Sequence, residues 1–144
     1  MFIITMMRIL YVINSFGPGG AEKLLVNFLK EFTKKQHVAF TVVQLCNTNT
    51  VDAYVDELRA SGIEIITLGK SVYSPNILLK LRKIIVSGGY EVVHAHLFPS
   101  LYWVALLKLL FKVKTKLVFT EHSTANGRLG NVFSSRRTFD LFAL

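Results

Sequence analysis

Short aliphatic and β-branched runs alternate along the chain with longer segments whose apolar positions recur every three or four residues. Arg8–Asn14 (RILYVIN) is a nearly unbroken apolar run bounded by turn residues, the pattern of a strand buried on both faces. Ala21–Lys35 follows, with Leu24, Leu25, Phe28, Leu29 and Phe32 on one side at helical spacing. Val38–Leu45 gives a second strand. Asp52–Ser61 gives a short helix with an acidic first turn and Gly62 as its stop, and Ile63–Leu68 a third strand. Pro75–Ser87 is a helix opened by Pro75 and ended by Gly88-Gly89. Glu91–Ala95 is the fourth strand, Pro99–Phe111 a nearly all-apolar helix and Lys116–Thr120 the fifth strand. Asn131–Leu144 has helical character but meets no capping residue, so the chain is expected to be a fragment of something longer.

Strict strand–helix alternation predicts a parallel sheet covered on both faces with right-handed crossovers. The expected fold class is a doubly wound, Rossmann-like α/β domain made by residues 1–144. That length suits one domain with a real core, and 51% hydrophobic against 18% charged residues excludes disorder. Cys46 is the single cysteine, so no disulfide can form within the chain and a reducing, cytoplasmic setting is expected. The longest apolar run, Leu101–Phe111, falls short of the roughly 18 residues of a membrane span and is interrupted by Lys108. The apolar start contains Arg8, has no basic segment before it and no small-residue cleavage site after it, so no signal peptide is expected.

The net charge of +8 is uneven: ten basic against seven acidic residues through Ser100, then seven against two. A basic, apolar C-terminal third suits an anionic partner. Lys108 and Lys112 lie four apart on one helical face, Tyr102 and Trp103 stand near the start of that helix, and Arg136 and Arg137 add to the same surface. Peripheral contact with a membrane is one reading; the other is a core helix whose lysines reach out to water. No nucleic-acid partner is expected.

In an open parallel sheet, ligands bind beyond the carboxyl ends of the strands. The first strand ends in Ser15-Phe16-Gly17-Pro18-Gly19-Gly20, just before a helix. Glycines there let backbone N–H groups approach an anion, and the helix dipole adds about half a positive charge. The spacing is not the dinucleotide fingerprint, because Glu22 stands at the third glycine position, and no Gly-Lys-Ser/Thr makes it a P-loop. The alternative is a turn that merely needs positive φ. The fourth strand runs into His94-Ala95-His96, and the fifth into Glu121-His122-Ser123-Thr124. His122 can serve as acid, base or donor near neutral pH, or be an exposed loop histidine; Glu121 either orients it or is solvated. His94 and His96 share one side of their strand and with His122 and Glu121 could ligate a metal. No cysteine or aspartate reinforces the set, and His94 falls within the buried strand, so no metal is expected. His96, at the strand end, is the better candidate for ligand contact.

RILYVINSFGPGGAEKLLVNFLKEF, VVHAHLFPS and VFTEHS, in that order and at these strands, resemble the N-terminal half of family 4 glycosyltransferases of GT-B fold, from Arg8 to about Arg137. The resemblance implies a two-domain enzyme that moves a sugar from a nucleotide-sugar donor to a glycan or lipid-linked acceptor with retention of configuration, in cell-envelope polysaccharide synthesis at the inner face of the membrane. It gives Gly19 and Gly20 the donor diphosphate, His122 a place beside the transferred sugar, and His96, Glu121 and Ser123 the acceptor side. It implies no cofactor and no metal, the leaving diphosphate being stabilised by helix dipoles and basic groups. The family's second domain, with the nucleotide pocket and a pair of glutamates, finds no counterpart in these residues. The chain is therefore expected to need a C-terminal domain or partner subunit for catalysis.

Two further readings stay open. One is a non-catalytic binding or anchoring subunit of a split transferase. The other is half of a sugar-nucleotide epimerase on the same architecture. A dehydrogenase domain is disfavoured by the missing third glycine and by the position of Asp52 seven residues beyond Leu45, a poor place to grip a ribose.

Overall fold

A computed structural model of the chain describes residues 6–34 and 37–120. Among these residues five strands and four helices alternate: β1 (Met7–Ile13), α1 (Gly20–Phe32), β2 (Val38–Cys46), α2 (Asp52–Ala60), β3 (Glu64–Gly69), α3 (Asn76–Gly88), β4 (Val92–His96), α4 (Ser100–Phe111) and β5 (Lys116–Thr120). All strand pairs are parallel, in the order β3-β2-β1-β4-β5. The doubly wound α/β expectation holds, and every expected element from Arg8 to Thr120 is present with its ends shifted by a few residues.

The largest shift is at α1, expected to run to Lys35, which ends at Phe32. Thr33 closes it: its backbone N–H donates to Leu29 O at 3.0 Å and its hydroxyl to Lys30 O at 2.9 Å, so the last carbonyls are met without a glycine. Gly89, at φ 60, ends α3 in the left-handed conformation that a glycine adopts without strain.

The sheet separates two cores. Alternate residues of β1 divide between them, Tyr11 and Ile13 to one side, Leu10 and Val12 to the other. On the first side α1 and α2 insert Leu25, Val26, Leu29, Val55 and Leu58. On the second α3 and α4 insert Ile77, Leu81, Ile85, Val104 and Leu107. β1 and β2 are buried along most of their length, which explains why their sequences read as continuous apolar runs rather than alternating ones.

Candidate functional site

The strand order fixes where a ligand can enter. The chain leaves β1 toward the α1–α2 layer and leaves β4 toward the α3–α4 layer. β1 and β4 are neighbours, with Ile13 beside His96. The loops after them diverge and leave a crevice at the switch point, the position at which open α/β sheets bind ligands. The glycine loop lies on one side of this crevice and Leu97–Pro99 on the other.

Asn14, directly after β1, ties the two sides together. Its Nδ2 donates to Phe98 O at 2.6 Å, and its Oδ1 accepts the backbone N–H of Ser100, the first residue of α4, at 3.1 Å. The sequence reading used Asn14 only as the end of a strand. An amide that follows a buried strand and faces a helix start was the available signal, since Asn both donates and accepts. The Ser100 hydroxyl is buried and donates to the carbonyl oxygens of His96 (2.8 Å) and Leu97 (2.5 Å). Leu97 sits at φ 67, a conformation that disfavours side chains other than glycine, and its N–H donates to Thr120 O at 3.0 Å. The peptide bond between Phe98 and Pro99 is cis. This corner is thus held by β1, β5 and α4 together.

The glycine loop departs from the second of its two readings. Neither Gly17, Gly19 nor Gly20 has positive φ, so a left-handed turn is not what requires them. Gly19 is needed for space: a Cβ there would overlap the Glu22 carboxylate, which folds back from the first turn of α1. That carboxylate meets part of the positive N-terminus of α1. Gly20, by contrast, is exposed, and a Cβ built on it would meet nothing within 4 Å. Of the two glycines given to an anion, Gly20 offers the open approach and Gly19 lies beneath Glu22.

His96 is 4% exposed and stands beside Ile13 at the floor of the crevice. His94 is half-buried one pleat earlier. Its Nε2 lies 2.7 Å from Thr120 Oγ1 and its ring packs on Tyr11 with centroids 4.7 Å apart. His94 therefore satisfies the core by hydrogen bonding, as its position in the strand suggested. Burial pushes the Tyr11 hydroxyl up to about 12, because the ionised phenolate would lose its hydration there. Among the described residues no three His, Cys, Asp or Glu side chains come together in a way that could hold a metal ion. Glu121, His122, Ser123, Arg136, Arg137 and the helix expected over Asn131–Leu144 lie outside the described residues.

Lys108 and Lys112 lie on the last turn of α4 and at its end. Lys112 is exposed at φ 49, its N–H donating to Lys108 O at 3.1 Å, and Lys108 is half-buried. Lys108 borders a small apolar cavity with Ile85, Val93 and Leu117, and Lys112 stands exposed just after it, neither of them at the crevice.

The family model for glycosyltransferase family 4 matches residues 18–142. Among solved structures, this fold is similar to that of Phytolacca americana UGT2 complexed with UDP-2fluoro-glucose and pterostilbene, at a TM-score of 0.54 and 14% identity. The match covers 81% of this chain and 31% of that one, and at this identity the likeness is one of fold. No curated protein matches.

Proposed function

The chain belongs to glycosyltransferase family 4 and has the Rossmann-like fold of a GT-B N-terminal half; from that premise we propose that it supplies the acceptor side of a retaining sugar transfer. The donor is a nucleotide sugar, the acceptor a glycan or lipid-linked glycan of the cell envelope, and the setting is the cytoplasmic side of the membrane. The observation that carries this reading is the crevice between β1 and β4, with an uncovered glycine at a helix N-terminus on one wall and His96 at its floor.

In the transfer, the bond from the sugar's anomeric carbon to the diphosphate breaks, an acceptor hydroxyl oxygen takes the diphosphate's place, and the hydroxyl proton passes to the departing diphosphate. The developing negative charge needs fixed donors, and the N-terminus of α1 at Gly20 provides backbone N–H groups and a favourable dipole without a metal. Seated there, the diphosphate displaces the Glu22 carboxylate outward. His96 and, beyond the described residues, Glu121 and Ser123 serve the acceptor, and His122 stands beside the transferred sugar. The chain spans 31% of the solved chain whose fold it shares; on this reading the nucleotide pocket belongs to a second domain or partner subunit.

Gly20→Ala tests this directly in the transferase assembled with its donor-binding domain. The methyl group meets no atom of the fold, and the helix gains up to about 1 kcal/mol from losing a glycine. If the diphosphate approaches Gly20, the same methyl weakens a charge-assisted contact, and the donor KM rises about 10- to 100-fold. An unchanged donor KM in a folded variant would remove Gly20 from the donor site.

A further inference from the structure

We propose that Asn14 is a positioning residue for the acceptor: its side-chain amide sets the wall of the crevice that faces the glycine loop, and through that wall the main chain of His96 at the floor. This rests on the acceptor-side reading above and names the residue that shapes that side.

α4 begins without a cap of its own. Its N-cap residue, Pro99, makes no side-chain hydrogen bond and, as a proline, has no N–H. The N–H of Ser100, the first residue of the helix, is met by Asn14 Oδ1 at 3.1 Å, from the end of a strand 86 residues earlier. The other half of the same amide donates to Phe98 O at 2.6 Å. A helix that needed only stability would be served by Ser, Thr, Asn or Asp at its own N-cap. A cap brought from β1 does more. Asn14 is also the root of the glycine loop, so its amide fixes where that loop and the start of α4 stand relative to each other. The amide is itself anchored, because the Asn14 carbonyl accepts the N–H of Cys46 at 2.9 Å and so ties it to β2.

What Asn14 holds is a strained segment. Leu97 sits at φ 67, which disfavours a leucine. Its N–H donates to Thr120 O at 3.0 Å, and its carbonyl accepts the Ser100 hydroxyl at 2.5 Å. Such strain persists only where the surroundings over-determine it, and it gathers at sites that hold ligands. The wall from Leu97 to Ser100 carries no charged side chain, so it offers an acceptor shape rather than charge. The Ser100 hydroxyl also donates to His96 O at 2.8 Å, so movement of the wall is passed to the floor. Misplacement of a bound reactant by about 1 Å is enough to slow a transfer severely.

Asn14→Asp separates positioning from stability. One carboxylate oxygen still accepts from Ser100, and its charge suits the N-terminus of α4. No N–H remains for Phe98 O, and two oxygens at that separation repel. In the transferase assembled with its donor-binding domain, the melting temperature is expected to stay unchanged. The acceptor KM should rise about tenfold while the donor KM stays within about twofold. Hydrogen exchange at the Leu97 N–H should quicken. Ser100→Ala releases the same wall from its other side and should give the same split, with the double variant little worse than either alone. Thr48→Val is the control: that hydroxyl ties another loop at this edge of the sheet to Lys70 O at 3.0 Å, and its loss should leave the acceptor KM unaltered. In an active assembly, an unchanged acceptor KM in Asn14→Asp would overturn the role of Asn14 and leave the transferase reading standing. So would acceptor and donor KM rising together, or unaltered exchange at Leu97. An unaltered assembly that transfers no sugar would sink the transferase reading, and the acceptor role of Asn14 with it.

Discussion

The two helix layers pack against the sheet by the same means and present different surfaces. On the α1–α2 layer acid and base are interleaved: Glu57 of α2 takes Lys30 at 2.9 Å and Lys23 at 3.6 Å from α1, and Lys34 holds Glu31. On the α3–α4 layer the polar groups reach carbonyls and rings instead. Lys80 donates to Leu68 O at 2.5 Å, the Trp103 indole N–H to Val72 O at 2.7 Å, and Arg82 covers Phe111. Inside, each layer presents fully buried leucines, Leu29 and Leu58 on one, Leu81 and Leu107 on the other. Folding therefore treats the layers alike, and the difference in their outer faces is available for function.

The largest expected effect tests that equality. Leu29→Ala and Leu107→Ala each open a cavity under one layer and should each destabilise the fold by about 2–5 kcal/mol in urea titrations. A loss below about 1 kcal/mol for Leu107→Ala would mean that α4 is only loosely seated, and the comparison would fail on that side.

Next in size is a pH effect confined to the α1–α2 layer. Tyr11 is packed between Phe28, Phe40 and His94, and its hydroxyl is raised to about 12. The unfolded chain loses this proton near pH 10 while the folded one keeps it. Stability from this group is thus whole below about pH 10 and declines as pH rises toward 12, by about 2–3 kcal/mol in all. Tyr11→Phe removes the titrating group and should flatten that part of the pH–stability curve. Lysine deprotonation is shared by both forms, so the difference between them isolates Tyr11. Coincident curves would show that the hydroxyl is hydrated.

The element order was legible because parallel, doubly buried strands carry an unmistakable apolar run and the helices have a full apolar side. Strand order was not, since pairing β1 with β4 rather than β3 depends on contacts some eighty residues apart in sequence. The strand ends pointed to one edge of the sheet, and the structure brings two of them, Asn14–Gly20 and His96–Ser100, to one crevice. What no spacing could show was the folding back of Glu22, which changes the reason for Gly19 and leaves Gly20 as the open position. Among the described residues charge also groups by layer, because Lys80, Arg82 and Lys83 of α3 join the lysines that follow α4. The third strand end, with His122, lies beyond the described residues.

The smallest expected effect sharpens the contrast between the outer faces. The Glu57 carboxyl is held below its ordinary value, first by the hydrogen bond from Lys30 and then by the nearby positive charges of Lys23 and Lys30. Its contribution is present above the ordinary carboxylate range and fades as pH falls through it. The pair is solvent-exposed, so screening leaves little of the attraction. Glu57→Gln should lower the melting temperature slightly in dilute buffer and not at all in high salt. In charge it makes the α1–α2 layer resemble its counterpart, with Lys23 and Lys30 released.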